Sequence, residues 1–178
     1  RAEADSVIPF ELVQMSLARD VHATLVRPVW GLDCARFGSD RSALAKRQGN
    51  ILMEPTRTWK QLDTMELVGR IKHEWDTTSP DFRPEHVCVD AIGLGAGVAD
   101  RLRELGLPAL AINVSESPAL GALYLNLRAE LYFLAKSWFA ERACSLNGDK
   151  ELAAELSWPR FGYSSVGKIK VEGKAEMK

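Results

Sequence analysis

The chain predicts a mixed α/β domain: an antiparallel three-strand meander, then parallel strands, flanked by helices. Three observations carry this. Residues 29–57 hold three short strand-like runs, with the turn-forming pair Gly49-Asn50 between the last two. From Asp63 onward the pattern alternates helix, strand, helix, strand, helix, the long crossovers that parallel strands require. The first strand of each half also ends in an acid, Asp33 and Asp90. This order departs from the regular alternation of a doubly wound dinucleotide fold.

Element by element, Pro9 to Leu17 reads as a short helix, and Arg27-Pro28 marks a boundary because proline disfavours helix in the residue before it. Strands follow at 29–35, 42–48 and 51–57. Asp63 to Trp75 is a helix with Met65, Leu67, Val68, Ile71 and Trp75 on an apolar face and Asp63 as its cap. Thr77 to Pro84 is a polar loop, and Val87 to Asp90 a buried strand. Gly97 to Leu105 is a helix stopped by Gly106 and Pro108, and Ala109 to Val114 is a second buried strand. Tyr124 to Arg142 is the longest helix, with Leu127, Leu131, Leu134, Trp138 and Phe139 along one side. A helical turn at 151–156 precedes late strands at Trp158–Tyr163 and Lys168–Val171. Trp30, Trp75, Trp138 and Trp158 are read as core. Residues 1–28 read as an entry segment or linker and residues 29–178 as the domain itself, truncated at its C-terminus, in a chain that reads as a fragment of a longer protein.

Composition limits the function classes. At 178 residues and 46% hydrophobic content the chain can bury a sizeable core, and a net charge of −1 argues against a generally basic nucleic-acid coat. It does not argue against an enzyme acting on DNA, whose acids offset local basic residues. No apolar run is long enough to span a bilayer, and the N-terminus lacks a signal pattern. Cys34, Cys88 and Cys144 are far apart and lack CxxC spacing, which suits reduced, buried thiols. His22, His73 and His86 lack ligand spacing and are assigned no role.

Asp33 and Asp90 carry the chemistry. A carboxylate at the end of an apolar strand is costly unless it is paired or bound to metal. Two such acids facing each other match phosphodiester hydrolysis by two metals, in which the ions activate a water and stabilise the leaving oxygen. Hard oxygen ligands select Mg²⁺ or Mn²⁺. Asp40, just beyond the turn from Asp33, is a third ligand or assisting group. No covalent enzyme intermediate forms in such a mechanism.

These residues resemble a known family. Gly31-Leu32-Asp33-Cys34-Ala35-Arg36-Phe37-Gly38-Ser39-Asp40 looks like the first nuclease motif of the large terminase subunit of tailed bacteriophages. Val89-Asp90-Ala91-Ile92-Gly93-Leu94-Gly95-Ala96-Gly97-Val98 resembles its second acidic motif, and Tyr124-Leu125-Asn126-Leu127-Arg128-Ala129-Glu130-Leu131 is similar to its long helix. Lys168-Ile169-Lys170-Val171-Glu172-Gly173-Lys174 looks like the segment before its last motif. The resemblance covers residues 29–178 in order. It implies an RNase H-like fold and a metal-dependent endonuclease that cuts concatemeric viral DNA into genome lengths in the host bacterial cytoplasm. It also implies as partners double-stranded DNA, an ATPase domain of the same full-length chain, the small terminase subunit and the portal. There is no GxxxxGK[ST] phosphate loop, so that motor is not within these residues. The family's third acid lies in a Ser-Pro-Asp type motif after the late strands, and this chain reaches Lys178 without one. Glu172 and Glu176 read as solvent-facing charges rather than stand-ins.

Other readings compete. Gly93-Leu94-Gly95-Ala96-Gly97 follows a strand and opens a helix, with Glu116 about 20 residues further on, as in a dinucleotide site. Against this, the spacing is GxGxG, and Asp90 would repel a pyrophosphate. Glycines there also serve close backbone approach. An actin-like ATPase half opens with an acid on a first strand, but Cys34-Ala35-Arg36 fits its phosphate loop poorly. A non-catalytic module of the same fold that binds DNA or a packaging partner is the third alternative. Arg36, Lys168, Lys170 and Lys174 are the basic residues assigned to the phosphate backbone, a salt-sensitive contact without sequence information.

Overall fold

The structure is a computed structural model that describes residues 6–35 and 40–173. It divides into two compact units, His22–Asn113 and Arg1–Val21 with Val114–Lys178.

The first unit is built on a six-stranded mixed sheet. Strands β1 (Val29–Asp33), β2 (Arg41–Gln48), β3 (Ile51–Leu52), β4 (Arg57–Lys60), β5 (His86–Asp90) and β6 (Ala109–Ile112) are ordered β3-β2-β1-β5-β6, with β4 also pairing β2. β1 is antiparallel to β2 and parallel to β5, and β5 is parallel to β6. The predicted antiparallel start and parallel continuation are therefore both present. Strand alternation decides burial: Trp30, Leu32, Leu44, Val87 and Val89 point into the core, where they meet Leu67, Val68 and Ile71 of helix α2 (Thr64–Thr77) and Val98, Ala99 and Leu102 of helix α3 (Gly95–Glu104). Asp63 caps α2 by accepting from the Glu66 N–H, and the Glu66 carboxylate accepts from the Asp63 N–H in return, a complete capping box.

The predicted third strand, 51–57, is corrected. Two short strands pair with β2 instead, and Met53–Thr56 bulges out between them. Pro55 lies in this bulge; it has no N–H to give to a ladder. The bulge brings Glu54 within 2.9 Å of Lys46 and 2.8 Å of Arg57, while Glu74 of α2 lies 2.7 Å from Lys46 and 2.6 Å from Arg57. Lys46 and Glu74 are buried, so this mutual neutralisation is what makes the site tolerable. The Lys46 ammonium also stands 4.8 Å from the Trp30 ring centroid.

The second unit packs helices α1 (Phe10–Ser16), α4 (Leu127–Ala140) and α5 (Lys150–Leu156) with a hairpin of β7 (Phe161–Tyr163) and β8 (Ile169–Val171). The stretch read as a linker contributes Val7, Ile8 and Val13, all fully buried, to a core shared with Ala129, Phe139, Cys144, Leu146, Ala153 and Val171. Asn126 caps α4 and Asp149 caps α5 through side-chain oxygens. α4 is shorter than predicted because Asn126 opens it and Arg142 turns into the left-handed region (φ 56°) just beyond it. Its inward face is also corrected. Leu134 is 60% exposed and Leu131 41%, whereas Glu130 is buried. The Glu130 carboxylate accepts the Ala119 and Leu120 N–H groups at 2.8 and 3.0 Å, which satisfies a charge that burial would otherwise penalise. Trp158, read as core, is 62% exposed. The three cysteines are free thiols; Cys144 is buried, and Cys34 and Cys88 are half-buried. No helix of the described residues is long and apolar enough to cross a membrane.

Candidate metal centre

The site follows from strand register. β1 and β5 run in parallel with Gly31 opposite Cys88 and Leu32 opposite Val89. One step further along both strands, Asp33 stands beside Asp90. Neighbouring strands lie about 4.8 Å apart, so the two acids are lateral neighbours. Leu32 and Val89 are buried in the core, so Asp33 and Asp90 project to the other face, where each is half-buried. Both strands end here, and the chain leaves β1 and β5 from the same end of the sheet, where α/β folds bind ligands.

A glycine pattern holds the end of β5 in place. Gly93 takes a positive φ of 74°, which turns the chain from strand to helix. A Cβ on Gly95 would lie 1.7 Å from the Asp90 carbonyl oxygen and 2.8 Å from its carbon, so only glycine lets α3 start against Asp90. Gly97 meets nothing within 4 Å. Two of the three glycines are thus explained by the backbone around Asp90. The Asp90 Oδ1 accepts the Ile92 N–H at 3.1 Å, which orients the carboxylate and leaves its second oxygen for another partner.

The other predicted residues are distributed as follows. Asp40 precedes β2 and is exposed. Among the described residues no group of three or more His, Cys, Asp or Glu is gathered closely enough to hold a metal ion, so Asp40 is not drawn into one cluster with Asp33 and Asp90. Arg36 and Lys174 lie outside the described residues. Lys168 sits at the β7–β8 turn, its N–H donating to Ser164 Oγ at 3.1 Å, and Lys170 is exposed on β8; both belong to the second unit, whereas the aspartates belong to the first. Cys88, two positions before Asp90 on the same face, has its thiol pushed up from its ordinary range by burial, which the nearby Arg47 partly offsets. Arg41 and Lys60, not singled out from sequence, are paired across β2 and β4. The signal for them was register, which a single sequence does not display.

The sequence matches no protein-family profile and no curated protein. Solved structures do match. The nuclease domain of the large terminase subunit of bacterial virus Sf6 superposes with a TM-score of 0.76 at 18% identity, covering 97% of this chain and 90% of that one. The large terminase nuclease of thermophilic phage G20c gives 0.68 at 14% identity, covering 96% and 89%. The HK97 bacteriophage large terminase gives 0.65 at 11% identity, with 96% of this chain covering 40% of that protein. Structures of the Sf6 domain include manganese and calcium forms, and those of the G20c nuclease include bound magnesium and cobalt. The fold of this chain is the RNase H-like fold of phage large-terminase nuclease domains.

Proposed function

We propose that this chain is a divalent-metal-dependent DNA endonuclease of a phage packaging terminase. The observation that carries the reading is the register that makes Asp33 and Asp90 neighbours on one face at the ends of two parallel strands. The shared fold, and the metals in the structures that share it, support the same reading.

The residues fit the cation. Two adjacent half-buried carboxylates repel each other, and a divalent ion removes that cost. Their oxygens are hard donors of the kind that Mg²⁺ and Mn²⁺ take, and Mg²⁺ is commonly held by one or two carboxylates together with substrate phosphates and water. Asp33 and Asp90 are the metal ligands in this reading, and Asp40 assists from its exposed position. When bound, the metal supplies a Lewis acid and an activated water for hydrolysis of the scissile phosphodiester. Asp90 is pre-oriented by the Ile92 N–H, and Gly95 keeps its strand end against α3. Arg36, Lys168, Lys170 and Lys174 contact the phosphate backbone. The substrate is concatemeric double-stranded DNA in the host bacterial cytoplasm. The partners are the ATPase domain of the full-length chain, the small terminase subunit and the portal.

The test is nicking of supercoiled plasmid in Mn²⁺ by wild type, Asp33→Ala and Asp90→Ala, with circular dichroism to confirm the fold. Each variant is expected to lose cleavage, by at least about a hundredfold. Full activity in either variant would sink the assignment.

A further inference from the structure

The second unit leaves two aromatic rings without a stacking partner. Its other aromatic side chains are engaged: Phe133 meets Tyr124 and Phe161, Phe161 meets Tyr163, and Trp138 meets Phe139. Arg128 stands over the Tyr132 ring and Lys136 over that of Phe133. Among the described residues, no ring or cation is stacked on Phe10 or Trp158, which are 44% and 62% exposed.

Both rings border one cleft of about 330 Å³ between the start of α1 and the end of α5. That volume lies near the lower end of ligand pockets, roughly 300–1,000 Å³, and suits one long side chain. Glu11 is the charged residue of its lining. It is exposed, and no ion pair is found for it among the described residues. The walls are fixed in place. The Ser6 hydroxyl is shared between the carbonyls of Ser157 at 2.8 Å and Ile8 at 2.9 Å, and the Val7 N–H donates to the Pro159 carbonyl at 3.0 Å. Val7 and Ile8 are fully buried beside them. A cleft stitched together in this way does not have to be ordered when a ligand arrives.

The lining selects the charge of its ligand. The faces of both rings carry negative potential, as does the carboxylate, and no cation lines the cleft to offset them. An anion is repelled there, and a purely apolar group strips water from Glu11 without replacing it. Among side-chain cations, a guanidinium is planar, weakly hydrated and able to stack on a ring while it donates a fork of N–H groups to a carboxylate. An ammonium is a strongly hydrated point charge and gains less from the ring faces.

We propose that this cleft is a docking site for an arginine side chain of a protein partner, with the guanidinium against the Trp158 and Phe10 rings and donating to the Glu11 carboxylate. The site goes beyond the nuclease reading and shares no residue with it.

The test is a titration with N-acetylarginine N-methylamide, followed through the backbone amide NMR signals of Phe10 and Glu11. The lysine and citrulline counterparts and free arginine are run beside it. A saturable shift is expected with the capped arginine, with a dissociation constant on the order of 1–10 mM. The lysine compound is expected to bind more weakly, and citrulline, which is neutral and of similar shape, to give no saturable shift. Trp158→Leu is expected to weaken capped arginine at least about fivefold, and Glu11→Gln at least about threefold. Both residues are exposed, so circular dichroism and melting are expected to be unchanged; Glu11→Gln keeps the test decisive if Trp158→Leu fails to fold. Citrulline binding as tightly as arginine, unchanged affinity in Glu11→Gln, or no saturable shift with capped arginine up to about 50 mM overturns the proposal. Free arginine binding at least about tenfold more tightly than the capped form would make this a site for the amino acid and overturn the docking role.

Discussion

The two compact units bury their residues by different rules. In the sheet unit, period-two alternation decides nearly every position: Leu32 and Val89 go into the core, and Asp33 and Asp90 go to the opposite face. In the helical unit, α4 carries apolar side chains around much of its circumference. Packing selects Ala129 and Phe139, leaves Leu131 and Leu134 exposed, and buries Glu130. A strand has two faces, so one buried residue assigns all the others. A helix that is apolar on several sides has no such rule, and the partners it meets choose the face.

Four predictions bear on this contrast. The largest effect is expected at the glycine turn of the sheet unit. Gly95→Ala forces a Cβ into the Asp90 carbonyl and is expected to destabilise by about 3 kcal/mol. Gly97→Ala, in open space on the same helix, is expected to stabilise by roughly 0.5–1 kcal/mol. Urea unfolding of the two variants checks this, and similar midpoints would show that the close approach does not constrain the fold.

Leucines from the two units come next. Leu102→Ala, fully buried on α3, is expected to cost about 3 kcal/mol, whereas Leu134→Ala on α4 is expected to change stability by less than about 0.5 kcal/mol. Comparable losses in thermal unfolding would mean that α4 presents a different face to its core.

Glu130→Gln tests the buried acid of the helical unit. An amide cannot accept both the Ala119 and Leu120 N–H groups through two oxygens, and a loss of about 1–2 kcal/mol is expected. An unchanged melting temperature would remove Glu130 from the structural account.

The smallest effect is the acid dependence of the Lys46–Glu54–Arg57–Glu74 cluster. The hydrogen bond from Arg57 is the main cause that holds the Glu54 carboxyl below its ordinary value of 4.5. A lowered folded value stabilises the protein above that ordinary value, and this contribution disappears as the pH falls through the lowered one. Urea midpoints measured from neutral into acid should fall less steeply in Glu54→Gln than in wild type. Parallel curves would show that Glu54 contributes nothing to the acid limb.

Much of the fold was legible in particular residues. The Gly49-Asn50 turn, the Asp63 cap and the β5–α3 glycine turn are local devices that act over a few positions. The break in the third strand was legible too, since Pro55 interrupts the 51–57 run and has no N–H to give to a ladder. Arg41 and Lys60 were not legible, because they are neighbours only through pairing between strands distant in sequence. Glu130 was missed because a carboxylate in a helix reads as solvent-facing until its N–H partners are brought to it.

By itself, the sequence determined the order of elements, the antiparallel start and parallel continuation, and the presence of an acid at the end of β1 and of β5. These follow from backbone preferences and periodicities that act locally. Only the tertiary structure decided that the ends of β1 and β5 bring Asp33 and Asp90 level, that Asp40 is exposed, and that Arg41 and Lys60 face each other across β2 and β4. Those outcomes depend on register between separate strands, and register is set by the sum of core packing rather than by any one segment.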